Sequence, residues 1–270
     1  GKKGAGKATL ANHLMYYIFD KKSYNENDNV LSSDSIFHNQ FLNNIFTNII
    51  YLPGSDFKNI KIEDIRNLKK KIFQSSISSK PRFIIFDDIE LFNNNCLNAL
   101  LKIIEEPSKN NFFLLINNKS KPLIETIKSR CLDIKIILNR KKRINIIDAI
   151  VKKFKINLKI DPQTSQLSPG NLIKFNYFFD ENQISLDDDF LKNLAILLNL
   201  YKKDKDVIFI DMVIFLTDTY FNSLKNNNLI TNDKIIEYKI FVFENVNKFF
   251  MHNLNQNALL NAINSEINNE

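Results

Sequence analysis

The first nine residues, GKKGAGKAT, fit the pattern G-x-x-x-x-G-K, whose chemistry is the binding of phosphate. In this pattern Gly1, Gly4 and Gly6 let backbone N–H groups converge on phosphate oxygens, and Lys7 adds positive charge. Large apolar residues follow at helical spacing, at Leu10, Leu14 and Ile18. The glycines are therefore predicted to lie at the N-terminus of a helix.

The position after the loop lysine departs from the pattern. Ser or Thr there supplies the hydroxyl that ligates Mg²⁺, but this chain has Ala8, and Thr9 lies about 100° further around the helix. Two interpretations stay open: weak binding of ATP, with or without Mg²⁺, and a structural relic that joins a strand to the helix. That strand would lie before Gly1, so we expect the sequence to be part of a longer protein.

A second candidate site lies in the segment RFIIFDDIELF, where Phe83 to Phe86 predict a strand buried on both faces. The strand ends in Asp87, which is placed to hold Mg²⁺ through water. Hydrolytic proteins commonly have a water-activating Glu next, and here it is the shorter Asp88. Together with Ala8, this departure predicts that the chain's own ATPase activity is weak or absent. The alternative for both aspartates is a solvated strand end followed by a turn.

The next two segments are predicted to form a helix that packs on this strand's sheet and a further strand. The segment NNNCLNALLKIIEEPS predicts a helix with one apolar face that packs on the sheet, formed by Leu97, Leu100, Leu101 and Ile104. The segment from Asn111 to Asn117 predicts another buried strand. Its terminal Asn117 is placed to sense a terminal phosphate, although an ordinary asparagine at a strand end explains it equally well.

The segment PLIETIKSRC closes on Ser129, Arg130 and Cys131. An arginine at the end of a helix in a nucleotide-binding domain can reach a phosphate on a neighbouring subunit. The alternative is a surface arginine that binds the C-terminal carbonyls of its own helix, favourable by about 0.3–1 kcal/mol. Cys131 is interpreted as a packing residue.

Two segments, DDIELFNNNCLNALLKIIEEPS and FFLLINNKSKPLIETIKSRC, resemble the delta-prime subunits of bacterial DNA polymerase III clamp loaders. The resemblance runs from Gly1 to about Cys131, and LSPGNLIKF resembles a helix start in the family's lid domain. It implies an α/β AAA+ P-loop domain, a mostly parallel sheet with flanking helices, over residues 1–138. An all-α lid over residues 139–183 and an all-α collar over residues 184–270 would follow.

The same resemblance implies a stator that supports ATP-driven loading of the sliding clamp onto primed DNA. Arg130, with Ser129, would act in trans on the ATP site of a gamma or tau motor subunit; the delta subunit, the clamp and primer-template DNA would be further partners within the complex. The nucleotide-binding positions are Gly1, Gly4, Gly6, Lys7, Thr9, Asp87, Asp88 and Asn117. The alternatives are an active gamma-type clamp-loader ATPase and an unrelated DNA-associated P-loop ATPase.

Composition bears on the expected partners, metal content and location of the protein. The 270 residues carry a net charge of +7, which suits contact with nucleic acid but also fits an A+T-rich coding bias. The two cysteines lack the paired spacing of a structural zinc site, so no zinc is expected. Because the chain has neither a long apolar run nor a leader sequence, we expect a cytoplasmic protein without membrane contact. Helices are predicted over residues 62–73 and 140–155, at Ser168 to Gly170 with proline first, and throughout the chain beyond residue 184.

Overall fold

The computed structural model describes residues 1–32, 34–43, 45–54, 63, 67, 69, 70, 72, 80–107, 109–226, 231–252 and 254–268. The chain forms two compact units. The first contains Gly1–Ile146 and Ser168–Asn171, and the second contains Ile147–Leu167 and Leu172–Glu270. The predicted division into three domains stays a prediction. The helix predicted over residues 62–73 lies largely outside the described residues.

A three-stranded parallel sheet organises the first unit. Its strands, in spatial order, are β3 (Ile49–Pro53), β4 (Arg82–Asp87) and β5 (Asn111–Leu115). The unit also contains a small antiparallel hairpin of β1 (Tyr24–Asn25) and β2 (Val30–Leu31). The helices are α1 (Lys7–Phe19), α2 (Ile36–Leu42), α3 (Asn94–Glu105), α4 (Glu125–Lys128) and α5 (Arg140–Phe154).

Strand β4 is buried on both faces, which confirms the prediction for its apolar run. Side chains alternate across a strand, so the run divides between two apolar clusters. Ile84 and Phe86 pack with Leu97 and Leu100 of α3 on one side. Phe83 and the other odd-numbered side chain of the run pack with α1 and α2 on the opposite side. This double burial fixes where the carboxyl end of β4 lies.

Helix α1 forms where its apolar repeat predicts a helix, and α3 differs in part from its predicted burial. On α1 the apolar repeat faces outward, with Leu10 55% exposed, because the small Ala11 and the flexible Met15 pack against the sheet instead. On α3 the prediction of Leu97 and Leu100 as inward residues is confirmed. The other two predicted positions are only partly buried, and the fully buried face is completed by Cys96 and Ile103.

The second unit is helical throughout its described regular elements, as the sequence predicts beyond residue 184. It contains most of α5 and of α6 (Pro169–Glu181), then α7 (Phe190–Asp204), α8 (Ile208–Asn226), α9 (Asn232–His252) and α10 (Gln256–Asn268). One apolar cluster spans these helices. Although α8 is rich in β-branched residues, its buried Phe209, Met212, Val213 and Leu216 follow helical spacing, so packing outweighs local propensity.

Helix α6 begins at Pro169, as predicted, and the Ser168 side chain accepts a hydrogen bond from the Asn171 amide at 3.4 Å. Within the described part of the chain, no helix is long and apolar enough to cross a membrane.

Candidate functional site

The phosphate-type loop has the backbone that its glycines predict. Gly4 and Gly6 have φ angles of 76° and 89°, in the left-handed region that other residues rarely adopt. Helix α1 begins immediately afterwards, at Lys7. Ala8 is partly buried against the apolar cluster beneath the loop, and Thr9 is exposed on the helix surface.

Lys7 closes the loop on itself. Its Nζ donates hydrogen bonds of 2.7 Å to the carbonyls of both Gly1 and Lys2. Burial lowers the pKa of Lys7, and the nearby carboxylates of Glu90, Asp87 and others oppose that effect. Two loop carbonyls therefore accept hydrogen bonds from the amine that could otherwise bind a phosphate.

The start of helix α6 packs directly against the loop, within the first unit. The Ser168 hydroxyl donates to the Lys3 carbonyl at 2.5 Å, and the Gly170 amide donates to the Gly4 carbonyl at 2.9 Å. A Cβ added to Gly4 would lie 2.5 Å from Ser168 Oγ, and one added to Gly170 would lie 2.9 Å from the Gly4 Cα. Sequence reasoning assigned Ser168 to Gly170 only to a helix start. The missed signal was Gly170 itself, since a glycine inside a helix costs about 1 kcal/mol relative to alanine and needs a reason.

Both carboxylates at the end of β4, those of Asp87 and Asp88, accept hydrogen bonds. Asp87 Oδ2 accepts a hydrogen bond of 2.5 Å from the Tyr51 hydroxyl, and its Oδ1 accepts from the Asp88 amide at 2.9 Å. Burial, and then the bond to Asp87, raise the pKa of Tyr51. Asp88 adopts a left-handed φ of 50°, and its Oδ1 accepts a hydrogen bond from the Asn118 side-chain amide. Each aspartate therefore accepts at least one hydrogen bond from the protein.

Glu90 is a buried residue that sequence reasoning missed. It is 4% exposed, and its Oε1 accepts hydrogen bonds from the Asn118 amide at 3.0 Å, the Ser120 amide at 3.2 Å and the Ser120 hydroxyl at 2.9 Å. Its Oε2 is buried without a hydrogen-bond partner among the described residues. A glutamate between Ile89 and Leu91 in an otherwise apolar segment was the available signal. Glu90 fixes the loop that follows β5.

Asn117 lies beside the start of the phosphate-type loop. Its carbonyl accepts a hydrogen bond of 3.2 Å from the Gly1 nitrogen, so the structure brings these two predicted site residues together. Its side-chain oxygen accepts from the Lys119 amide at 2.7 Å. The side chain therefore stabilises the turn after β5, and a role in sensing a phosphate stays a prediction.

Arg130 lies just beyond α4, and its guanidinium has two fixed atoms. Nε pairs with Glu105 Oε1 at 2.5 Å. Nη1 donates to the Thr126 carbonyl at 2.9 Å and to the Ser129 hydroxyl at 3.2 Å. The contact with Thr126 is the one that the surface-arginine alternative predicts. Nη2 has no partner among the described residues, and the Arg130 side chain is 39% exposed.

Cys131 follows as a packing residue. It is partly buried against the cluster beneath α3, and burial raises the pKa of its thiol. A raised pKa disfavours the reactive thiolate, which agrees with the interpretation of Cys131 as a packing residue.

The described side chains do not supply a magnesium site of the usual kind. No group of three or more His, Cys, Asp and Glu residues within the described ranges is arranged to hold a metal ion. Ala8 has no oxygen to offer, and both oxygens of Asp87 accept protein hydrogen bonds. The donor set therefore does not fit a magnesium–nucleotide complex of the usual kind.

Comparison with known proteins points to one family. The sequence profile described as "DNA polymerase III, delta subunit" matches residues 1–139, which is about half of the chain. The chain is 32% identical over 195 residues to the DNA polymerase III subunit delta' of Buchnera aphidicola subsp. Acyrthosiphon pisum, covering 67% of this chain and 59% of that protein. It is 27% identical to the DNA polymerase III subunit gamma of Buchnera aphidicola subsp. Baizongia pistaciae, covering 97% of this chain and 69% of that protein.

A further relative and a solved structure extend this comparison. The delta' subunit of Buchnera aphidicola subsp. Baizongia pistaciae is 28% identical over 137 residues, covering 48% of this chain and 40% of that protein. The chain thus spans about half the length of these delta' relatives, between 40% and 59%. A crystal structure of a DNA polymerase III gamma subunit-related protein from Thermotoga maritima superposes with a TM-score of 0.43 at 19% identity, covering 80% of this chain and 81% of that one.

Proposed function

The chain belongs to the DNA polymerase III delta-subunit family, and from this membership we propose that it is a clamp-loader subunit of the delta-prime kind. It supports ATP-driven loading of the sliding clamp onto primed DNA in the cytoplasm. It works as an AAA+ stator beside gamma or tau motor subunits and the delta subunit, and it supplies Arg130 to the ATP site of a neighbouring motor. Family membership removes the alternative of an unrelated P-loop ATPase.

The observation that carries this proposal is the contrast between Arg130 and the chain's own loop. Arg130 is half-exposed with Nη2 open, whereas Lys7 is bound to loop carbonyls. A planar guanidinium matches the oxygens of a phosphate, and fingers of this type contribute about 10³ to 10⁵ in rate in other systems. The chain is thus equipped to assist hydrolysis elsewhere more than to perform it.

Three features support weak or absent hydrolysis by the chain itself. Ala8 lacks the hydroxyl that ligates magnesium. Asp88 is shorter than the usual glutamate and is held by Asn118. The loop also contacts Ser168 and Gly170 through its carbonyls. A phosphate that entered would have to compete with the bonds of Lys7.

The test is the ATPase rate of a reconstituted clamp loader that contains the full-length protein, its motor subunits, the clamp and primed DNA. We expect Arg130→Ala to lower the rate by a factor of about 10² or more while the complex still assembles. Arg130→Lys, which keeps the charge but loses the fork of donors, should recover only part of the rate. An unchanged rate for Arg130→Ala in an assembled complex would exclude the trans role.

A gamma-type motor is the second candidate. The similarity to a gamma subunit over 97% of this chain favours it. It requires the purified full-length protein to hydrolyse ATP at a steady rate that Lys7→Ala abolishes. The delta-prime proposal requires a rate at background in both forms. This comparison separates the two candidates before any complex is assembled.

A further inference from the structure

Glu105 ends helix α3 and lies against the guanidinium of Arg130. We propose that Glu105 is a positioning residue for Arg130, which fixes the guanidinium so that Nη2 is available to an oxyanion of a neighbouring subunit. The inference rests on the proposed function of Arg130 and adds a residue to it. Neither the family pattern quoted above nor the alternatives for Arg130 assign a role to Glu105.

Two anchors fix the planar group. Glu105 Oε1 holds Nε at 2.5 Å, and the Thr126 carbonyl holds Nη1 at 2.9 Å. The anchors come from different helices, α3 and α4, so the orientation of the plane is set by the fold of the unit rather than by one flexible side chain. A guanidinium held in this way loses less rotational freedom when it meets an anion, which is the advantage of preorganisation.

Exposure argues for orientation rather than stability. The side chains of Arg130 and Glu105 are 39% and 41% exposed, and exposed ion pairs contribute little to folding. The ion pair is nevertheless close, at 2.5 Å between Nε and Oε1, so it holds the guanidinium beside the end of α3. Glu106, the next residue, is also exposed but makes no ion pair within the described ranges. It provides a control of the same charge one position away.

Two substitutions of Glu105 test its contact with Arg130. Glu105→Ala removes the ion pair at Nε and leaves only the anchors at Nη1, so the guanidinium can rotate. Glu105→Gln keeps the size of the side chain and removes its charge. We expect Glu105→Ala to lower the Arg130-dependent ATPase rate by about 10-fold, as for other residues that orient a functional group, and Glu105→Gln to recover only a small part of it, because the ion pair is lost in both variants.

The experiment uses the same reconstituted loader and adds a double-mutant cycle. Glu105→Ala, Glu105→Gln and Glu106→Ala are each measured alone and with Arg130→Ala, with assembly checked by gel filtration. We expect Glu106→Ala to match the unmodified protein. Glu105→Ala should have no further effect once Arg130 is gone, because it acts only through that residue.

Two results would overturn the inference while leaving the role of Arg130 intact: a full rate for Glu105→Ala where Arg130→Ala is slow, or an equal loss from Glu105→Ala in both backgrounds. If Arg130→Ala itself left the rate unchanged, the proposed function would fail and this inference with it. The two failures are therefore distinguishable in one set of measurements.

Discussion

Replacing Gly4 by alanine tests the contact between the loop and the start of α6. The added Cβ would lie 2.5 Å from Ser168 Oγ, 2.7 Å from the Asn171 nitrogen and 2.8 Å from Asn171 Oδ1. Alanine at a φ of 76° also costs about 1–2 kcal/mol in backbone strain. Overpacking of this kind adds about 1–3 kcal/mol, so we expect Gly4→Ala to lower the free energy of unfolding by about 2–5 kcal/mol.

Gly6→Ala is the matched control. Gly6 has the same sign of φ, at 89°, but a Cβ there would meet nothing within 4 Å. Only the backbone strain remains, so we expect a loss of about 1–2 kcal/mol. Urea unfolding of the full-length protein, followed by circular dichroism, compares the two variants, with the slope m checked for constancy. Equal losses for Gly4→Ala and Gly6→Ala would refute the packing of the loop against α6.

Two further predictions concern hydrogen bonds in the first unit. Ser35 caps α2 by accepting from the His38 amide at 3.0 Å and donates to Asp20 Oδ2 at 2.5 Å, so Ser35→Ala should cost about 1–3 kcal/mol in urea unfolding at pH 7. The Ser35 bond is the main reason why the pKa of Asp20 lies below its ordinary 3.8. The part of the stability loss that comes from this bond should therefore shrink as the pH falls below 3.8 and through the lowered pKa. A stability difference between the two proteins that stays constant down to pH 2 would contradict this. Glu90→Ala should raise the hydrogen-exchange rates of the Asn118 and Ser120 amides about 10-fold or more, while Glu90→Gln, which keeps an acceptor, should change them less. Unchanged rates in Glu90→Ala would show that this carboxylate does not hold the turn.

The sequence was informative where a local pattern determines structure. The apolar run from Phe83 to Phe86 predicts a doubly buried strand because both of its faces must be covered, and both are. Pro169 marks the start of α6, because proline is tolerated at the first helical position. Helical spacing likewise identified the helices beyond residue 184 despite their β-branched residues.

Buried faces and contacts between distant residues were harder to predict from the sequence. Periodicity identified α1 but not its buried face, since Ala11 and Met15 fit against the sheet better than Leu10 does. Asn118 and Ser120 lie 28 and 30 positions from Glu90, and Glu105 lies 25 positions from Arg130. One sequence contains no signal that pairs residues this far apart. Among the predicted site residues, Gly1 contacts the backbone carbonyl of Asn117, whereas Thr9 lies exposed on the helix surface.

The loop retains its glycines for a reason that does not require a nucleotide. Gly4 has a left-handed φ and no room for a side chain, because Ser168 and Asn171 pack against it, and its carbonyl accepts a hydrogen bond from the Gly170 amide. Lys7 is bound to the carbonyls of Gly1 and Lys2, so its charge is satisfied within the loop. The fit between Gly4 and Gly170 therefore gives the loop glycines a structural role, and this role does not depend on a bound nucleotide.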